Sequence, residues 1–273
     1  MSTLALAPCI ESLKSRLRTT WMAGDYDRFS RFMENGARSF YERLNVAPGA
    51  HLLDVACGSG QLALMAAREG VRVTGVDIAD NLIERAQSRS TAEAVPAQFR
   101  VADAESLPFV DSSFDVVVSL IGAMFAPHPD LVATELTRVC VPGGTVAMAN
   151  WTAEGFVGKM FRAIAKFIAP SGMPSPLLWG DEAVVRERFG ARVYEPRFTR
   201  RHYTFDYPFP PSEVVNFFRL YYGPVNRAFA SLSRGGRKKL HQELEALWSE
   251  HNRGQEGFTL VSAEYLEVIA TRA

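Results

Sequence analysis

A glycine turn around residue 58 is the segment of this sequence best suited to bind a small ligand. Gly58, Gly60 and Ala63 match the pattern G-x-G-x-x-G/A, in which glycine lets the backbone turn sharply and approach a bound molecule closely. An apolar run precedes the turn and a helical pattern follows it, which predicts a strand, a turn and a helix in succession. By itself, this pattern serves several nucleotide ligands and does not choose among them.

Three aspartates narrow the choice of ligand. Asp54 lies four residues before Gly58, where a carboxylate would repel a pyrophosphate but suit a ligand that carries an ammonium or sulfonium group. Asp77 ends the second predicted strand, where it can accept hydrogen bonds from two ribose hydroxyls. Asp103 follows the third strand, where its carboxylate can accept from the exocyclic amine of an adenine. Together, the three acids indicate a site for a cationic nucleoside.

A parallel sheet must position these acids. Between residues 51 and 150, short apolar runs alternate with helical patterns, which predicts a doubly wound α/β fold with right-handed crossovers. The predicted strands are His51–Val55, Val71–Val76, Gln98–Val101, Phe114–Leu120 and Thr145–Asn150. The predicted helices between them are Gln61–Glu69, Asn81–Ser88 with Asp80 as its N-cap, and Leu131–Val139. Because parallel strands end at one edge of a sheet, the acids are expected to line one crevice.

Four segments resemble, in order and at the proper spacing, the class I S-adenosylmethionine-dependent methyltransferases. They are Asp54-x-x-x-Gly58-x-Gly60, Gly75–Ile78, Ala102–Phe109 and Arg138–Gly144. The resemblance covers about residues 46–150 and is closest to the branch that contains ubiquinone/menaquinone-biosynthesis and other small-molecule methyltransferases. It implies a Rossmann-like seven-stranded sheet with a helical N-terminal segment and helical lid insertions. It also implies S-adenosyl-L-methionine as the cofactor.

The same resemblance implies roles for individual residues. In that family the glycine loop holds the methionine portion of the donor, the acid after strand two holds the ribose, and the acid after strand three contacts adenine. Tyr26 of the N-terminal segment would close over the methionine end. The predicted cofactor-binding residues are Tyr26, Asp54, Ala56, Gly58, Gly60, Asp77, Ile78, Asp103, Ala104 and Ser119.

Each assignment has a structural alternative. Asp77 could cap the helix that follows it, although Asp80 is better placed for that task. Asp103 could be an ordinary loop acid. Cys57 is interpreted as a small filler of the loop, because nothing nearby in the sequence would lower the pKa of its thiol.

The rest of the chain is interpreted as a lid around this core. Residues 1–45 are expected to form an N-terminal helical lid segment, and residues 46–150 the cofactor-binding core. Residues 151–257 would supply lid insertions and auxiliary helices with part of the sheet, and residues 258–273 the last strand, at the sheet edge. Predicted lid elements are helices at Gly155–Ile168, Asp181–Phe189, Pro210–Tyr222 and Arg237–His251, and an extended segment at Ala191–Tyr207.

More than half of the aromatic residues lie between residues 151 and 232. Such a concentration favours an apolar or aromatic acceptor, because ligand pockets are mostly apolar with few polar anchors. Methyl transfer from a sulfonium is an in-line displacement that the protein promotes by alignment and desolvation, so a general base is optional. No catalytic residue is assigned on this basis, and His128, Tyr221 and Tyr222 are kept as candidates.

Composition excludes several classes of protein. Thirty basic and thirty acidic side chains give a formal net charge of zero, which argues against a nucleic acid as acceptor. Ser119–Gly122 also differs from the Asn-Pro-Pro-Tyr common in methyltransferases that act on adenine or glutamine amides. Three cysteines without a C-x-x-C pair argue against a disulfide framework or a zinc site. Neither a membrane-spanning run nor a secretory signal is recognised, so a soluble, cytoplasmic protein is expected.

Two other functions stay open at this stage. A nicotinamide-dependent oxidoreductase uses the same glycine turn, although Asp54 and Asp103 argue against it and no Tyr-x-x-x-Lys set is present. A noncatalytic protein could retain the pocket for S-adenosylmethionine or S-adenosylhomocysteine. The sequence does not name the acceptor, the atom that is methylated, the use of a base or the oligomeric state.

Overall fold

The computed structural model describes residues 10–169, 172–194 and 196–273, so the first part of the predicted N-terminal lid segment, including Cys9, lies outside the described residues. Within these ranges the strands are β1 (His51–Val55), β2 (Arg72–Asp77), β3 (Ala97–Val101), β4 (Phe114–Leu120), β5 (Cys140–Trp151), β6 (Arg197–Tyr207) and β7 (Thr259–Thr271). The helices are α1 (Ile10–Trp21), α2 (Tyr26–Ser30), α3 (Glu34–Leu44), α4 (Gln61–Arg68), α5 (Asp80–Ala92), α6 (Pro129–Val139), α7 (Phe156–Ala165), α8 (Glu182–Phe189), α9 (Pro211–Tyr221), α10 (Gly223–Ser231) and α11 (Arg234–His251).

The described strands form one seven-stranded sheet in the order β3-β2-β1-β4-β5-β7-β6. Strands β1 to β5 are parallel, and β7 is antiparallel to both of its neighbours. The predicted doubly wound α/β fold is therefore confirmed. After β3 the chain crosses to the other side of β1 and enters β4, so a topological switch point lies between β1 and β4. In such sheets the crevice at the switch point is where ligands bind.

The central strands of the sheet are buried on both faces. Val117 and Val118 of β4 are fully buried, as are Leu52, Leu53 and Val55 of β1. Continuous apolar runs of this kind are buried on both faces of a parallel sheet by the crossover helices. The loops that follow β1 and β4 are consequently anchored on a rigid base.

Four expectations about elements need correction. β7 does not lie at the sheet edge but between β5 and β6, and most of its second half is buried, which suits a strand paired on both sides. Asp80 is the first residue of α5 and not its N-cap; its carboxylate accepts from Arg18 Nη2 at 2.6 Å. The strand expected at Thr145–Asn150 begins five residues earlier, at Cys140, because residues 142–144, which the sequence suggests as a turn, are part of β5. The helix expected to reach Tyr222 ends at Tyr221, and a further helix, α10, follows it.

The N-terminal helices are attached to the core over long distances in sequence. Besides the Arg18–Asp80 pair, Lys14 of α1 contacts two carboxylates after β3. Trp21 at the end of α1 packs against Phe125 and Tyr222. Helix α1 therefore spans the crevice beside the switch point. None of the described helices combines the length and the apolar character needed to cross a membrane.

A buried carboxylate on β7 holds helix α3 against the sheet. Glu267 is 2% exposed and accepts from Arg43 Nε of α3 at 2.7 Å and from Arg201 Nε of β6 at 2.8 Å. Arg43 also donates from Nη2 to the Tyr265 hydroxyl at 2.8 Å. This cluster sets the distance between α3 and the strands opposite it.

We predict that Glu267→Ala lowers the free energy of unfolding by about 1.5–3 kcal/mol, because two arginines lose their shared buried partner but are exposed enough to be rehydrated in part. Urea denaturation followed by circular dichroism measures this loss. Glu243→Ala is the matched control, because its carboxylate is more exposed and pairs with the exposed Lys166, and it should cost less than about 1 kcal/mol. Equal losses in the two variants would contradict the role given to Glu267.

Candidate active site

The loop between β1 and α4 has the backbone conformation that its glycines predict. Gly58 and Gly60 have φ angles of +56° and +83°, and Ala56 has φ +59°. A Cβ added at Gly60 would lie 3.0 Å from the Phe99 ring, and one at Gly58 would lie 3.1 Å from the Tyr26 ring. Glycine is therefore required at both positions, because the backbone has a positive φ angle and because an aromatic ring occupies the space that a side chain would need.

A cavity of about 610 Å³ opens beside this loop, at the carboxyl ends of β1, β2 and β3. Leu17 and Trp21 of α1 and Phe125 after β4 close it from the lid side. Most of the predicted cofactor-binding residues line it, namely Tyr26, Ala56, Gly58, Asp77, Ile78, Asp103 and Ala104. The sheet thus brings together the acids after strands two and three, whereas Asp54, which was expected in the same crevice, does not line this cavity.

Asp77 joins the ends of β1 and β2. Its Oδ2 accepts from the Gly58 backbone N–H and its Oδ1 from the Ala79 N–H, both at 2.9 Å. The side chain is nearly buried, and this burial raises the pKa of the Asp77 carboxyl despite the two backbone donors. Each carboxylate oxygen keeps a further lone pair, so Asp77 can hold the loop and still accept from a ligand hydroxyl.

A second cavity of about 610 Å³ continues on the other side of the loop and contains Asp54. Asp54 is 2% exposed, and its burial raises the pKa of the carboxyl to about 7. Gln61, Tyr203 and Tyr265 share this cavity. A carboxyl that titrates near neutrality in a closed space is ready to ionise when a cationic group arrives.

The third space is a small aromatic chamber. Its walls include Trp21, Phe29, Trp151, Met160, Phe218 and Tyr222. Burial raises the pKa of the Tyr26 and Tyr222 phenols. The two groups therefore stay protonated at neutral pH and can donate hydrogen bonds inside an otherwise apolar space.

Tyr26 and Ile121 line all three spaces and so mark the point where they meet. Ile121 has φ +53°, which is strained for a β-branched residue. A Cβ added to the next residue, Gly122, would lie 2.6 Å from the Ala56 side chain. The loops after β1 and β4 thus approach each other as closely as their backbones allow, and strain of this kind is concentrated at functional sites.

Two predicted cofactor-binding residues lie behind the cavities. Gly60 is the N-cap of α4 and packs on Phe99, and Ser119 is fully buried with its Oγ accepting from the Ala123 N–H at 2.9 Å. Neither lines the three spaces described above. Gly60 and Ser119 instead support the backbone of the loops that line these spaces.

The three catalytic candidates are separated by the fold. Tyr222 lines the aromatic chamber. Tyr221 lies instead beneath Arg28, whose guanidinium is 4.6 Å from its ring centre. His128 lies before α6, where its Nδ1 is 2.9 Å from Glu105 Oε2, and it lines none of the three spaces. Tyr221 is the last residue of α9, whereas Tyr222 has extended backbone between α9 and α10, so the two side chains point in different directions.

Sequence reasoning missed Lys14 and Glu105. Lys14 Nζ is 2.5 Å from Asp103 Oδ2 and 2.8 Å from Glu105 Oε2. Burial opposes ionisation of Glu105, but hydrogen bonds from Lys14 and His128 outweigh it and lower the pKa of the Glu105 carboxyl. Lys14 and Asp103 are 89 residues apart, so no local pattern could have paired them. Among the described residues, no group of three or more His, Cys, Asp or Glu side chains is arranged to hold a metal ion.

Comparison with known proteins agrees with this geometry. A family model described as a methyltransferase domain matches residues 53–148. An uncharacterised protein of Mycobacterium tuberculosis is 34% identical over 238 residues, which cover 86% of each chain. The chain belongs to the class I S-adenosylmethionine-dependent methyltransferases. Part of this methyltransferase is also similar to the 2-methyl-6-phytyl-1,4-hydroquinone methyltransferase of Synechocystis, with 41% identity over 105 residues, or 38% of this chain and 33% of that protein.

A solved structure confirms the fold of the methyltransferase. Phosphoethanolamine N-methyltransferase 2 of Haemonchus contortus, in complex with phosphomonomethylethanolamine and S-adenosylhomocysteine, superposes with a TM-score of 0.58 at 19% identity. The match covers 87% of this chain and 52% of that one. At this level of identity the likeness concerns the fold alone.

We predict that Asp77→Ala weakens the binding of S-adenosylhomocysteine by about 1.5–3 kcal/mol, the range for hydrogen bonds to a charged group. Isothermal titration calorimetry measures the change. Because Asp77 also holds the Gly58 N–H, the thermal midpoint of each variant is measured alongside. Asp115→Ala is the control, since that carboxylate accepts from the His51 N–H at the opposite end of β1. Unchanged affinity in folded Asp77→Ala protein would exclude a role for Asp77 in binding.

Proposed function

We propose that this protein transfers a methyl group from S-adenosyl-L-methionine to a small, largely apolar or aromatic acceptor. One observation carries the proposal: two acid-lined cavities and an aromatic chamber meet at Tyr26 and Ile121. A donor that is a nucleoside at one end and an amino acid at the other needs two such cavities. The acceptor must reach the donor between its nucleoside and amino-acid ends, and the aromatic chamber opens at that point.

The residues present fit the donor. Asp77 would accept from the ribose hydroxyls and Asp103 from the adenine amine, with Ile78 and Ala104 beside the ring. Asp54 would face the ammonium group, and the positive φ of Gly58 leaves room where a side chain would fill the cradle. Bound S-adenosylmethionine supplies an electrophilic methyl group on a sulfonium. Tyr26 covers this region from the lid and helps to exclude water.

The chamber suits an apolar or aromatic acceptor. Its polar groups include the Tyr26 and Tyr222 hydroxyls, which the raised pKa values keep neutral. Tyr222 would donate a hydrogen bond that orients the acceptor, while the aromatic walls desolvate the nucleophile. The hydroquinone in the name of the Synechocystis relative is an acceptor of this chemical kind. Oxygen, nitrogen, carbon and sulfur are all compatible as the atom that is methylated.

We further propose that residues 1–45 and 151–257 act together as the lid of the core at residues 46–150, with residues 258–273 completing the sheet. Contacts of α1 with α10 and of α2 with α9 support this division.

We assign the acceptor to small molecules and not to nucleic acid, because the net charge is zero. Cys57 and Cys140 are unpaired, which agrees with a reducing compartment such as the cytoplasm.

Calorimetric titration with S-adenosylhomocysteine, and with NAD as the comparison ligand, tests the donor assignment. Micromolar binding of the first and no binding of the second is expected, because Asp54 disfavours a pyrophosphate. Binding of NAD alone would instead support a nicotinamide-dependent oxidoreductase. Incubation with methyl-labelled donor and a panel of phenols, quinols and heteroaromatic compounds then separates an enzyme from a noncatalytic binding protein, which would release no labelled product.

We predict that the binding of S-adenosylhomocysteine at pH 7 releases up to about half a proton from Asp54. Burial holds the pKa of the free carboxyl at about 7, and a neighbouring ammonium group lowers it, so affinity should rise between pH 6 and pH 8. Calorimetry in two buffers with different ionisation enthalpies gives the number of protons. Asp54→Asn should abolish both effects, and proton release that persists in this variant would place its source elsewhere.

We predict that Tyr222→Phe alters the acceptor kinetics while Tyr221→Phe does not. Tyr222 lines the chamber, whereas Tyr221 lies under Arg28 and serves as the matched control. The loss of one hydrogen bond should lower kcat/KM for the acceptor by about 3- to 10-fold, equivalent to about 0.5–1.5 kcal/mol. Affinity for S-adenosylhomocysteine should stay within twofold in both. Equal kinetic losses in the two variants would contradict this assignment.

A further inference from the structure

The cavity that contains Asp54 is bordered by charges of both signs. Asp54 belongs to β1, and Tyr265 of β7 lines the same cavity. In the sheet, β4 and β5 separate these two strands, so the acid and the tyrosine reach the cavity from different sides. Arg43 Nη2 donates to the Tyr265 hydroxyl at 2.8 Å. The cavity therefore has a carboxyl group on the β1 side and a phenol in contact with a guanidinium on the β7 side.

The side chains behind Tyr265 have a net positive charge. Arg43 and Arg201 share one carboxylate, that of Glu267, which accepts from the Nε atom of each arginine. Two arginines and one glutamate leave a charge of +1. Glu267 is buried, and charges interact more strongly where water is excluded. This cluster therefore favours an anionic group beside the Tyr265 hydroxyl.

The Tyr265 hydroxyl is able to donate a hydrogen bond into the cavity. A phenol that accepts from a guanidinium still has its own hydrogen to donate. Burial raises the pKa of the Tyr265 phenol although the charge of Arg43 opposes the shift, so this hydrogen is present at neutral pH. Tyr203 lines the same cavity, but its hydroxyl already donates to the Phe32 carbonyl at 3.0 Å.

Gln61, which also lines this cavity, has no hydrogen to spare for a ligand. Its Nε2 donates to Ser59 Oγ at 2.9 Å and to Ser30 Oγ, which uses both amide hydrogens. Tyr26 lies where this cavity meets the other two spaces. Tyr265 is thus the side-chain donor suited to an anion on the β7 side.

An α-amino acid carries an ammonium group and a carboxylate on one carbon atom, and this cavity offers a partner for each. We propose that the Tyr265 hydroxyl, supported by the charges of Arg43 and Arg201, donates a hydrogen bond to the carboxylate of the methyl donor. Asp54 then faces the ammonium group. This inference rests on the proposed methyl transfer and adds residues outside the range 53–148 that matches the family model. By holding both charged groups, the cavity fixes the orientation of the sulfonium and selects donors that retain the carboxylate.

The test compares S-adenosylhomocysteine with its decarboxylated analogue, which keeps the adenosine, the sulfur and the amine, as ligands of the full chain. Calorimetry gives both dissociation constants. The unmodified protein should bind S-adenosylhomocysteine at least about tenfold more tightly than the analogue. Tyr265→Phe should weaken S-adenosylhomocysteine by about 10- to 100-fold, as expected for the loss of a hydrogen bond to a charged group. It should change the affinity for the analogue by less than about twofold, whereas a purely structural role would weaken both ligands alike.

Two further variants locate the effect. Tyr203→Phe is the matched control, because Tyr203 lines the same cavity but its hydroxyl is bonded to the Phe32 carbonyl, and it should leave the affinity ratio of the two ligands unchanged. Arg43→Gln removes the charge behind Tyr265 and keeps the hydroxyl, so it should lower this ratio by about threefold or more. Thermal midpoints show whether each variant is folded, and Arg43→Gln decides the question if Tyr265→Phe is not.

The outcomes separate this inference from the function on which it rests. Equal affinity of the unmodified protein for the two ligands overturns the carboxylate assignment and leaves the adenosine site intact. An unchanged ratio in folded Tyr265→Phe protein, or in Arg43→Gln if that variant must decide, does the same. A ratio lowered equally in Tyr203→Phe also overturns the assignment. Failure of the unmodified protein to bind either ligand overturns the proposed function itself.

Discussion

The carboxylate of Asp77 is the interaction on which the site depends. By accepting from the Gly58 and Ala79 backbone N–H groups, it ties the loop after β1 to the end of β2. The left-handed conformation of Gly58 is held in place in this way, and the cavity beside the loop keeps its shape before any ligand binds. Such preorganisation reduces the cost of binding, because the loop does not have to be ordered by the ligand.

The lid depends on a different kind of contact. Phe29 of α2 stacks on Tyr222 and contacts Phe218 of α9 edge to face, and Trp21 of α1 contacts Tyr222 edge to face. Lys14 and Arg18 bind carboxylates at the rim. The first set excludes water and the second sets the position of α1. A site built from both excludes water where a methyl group would move and presents charged groups where the nucleoside would lie. Methyl transfer from a sulfonium requires both, because water exclusion favours the displacement and the charged groups hold the donor.

Local sequence patterns were sufficient to predict the core strands and the acids that follow them. The turn at Gly58, the continuous valines of β4 and the acids after three strands lie within 100 residues, and parallel topology places strand ends at one edge. The position of β7 was mispredicted because strand order is decided by pairing partners and not by the pattern of the strand itself. His128 and Tyr221 were candidates on residue type, but the fold directs their side chains to Glu105 and Arg28.

The sequence by itself determined the fold class, the family and most of the residues that line the cavity beside the Gly58 loop, because each follows from short-range spacing on regular elements. Tertiary structure alone decided which tyrosine enters the chamber, which lysine pairs with Asp103, and that Tyr26 and Ile121 lie where three spaces meet. These features join segments more than 80 residues apart, and contacts at such separation depend on how the elements pack.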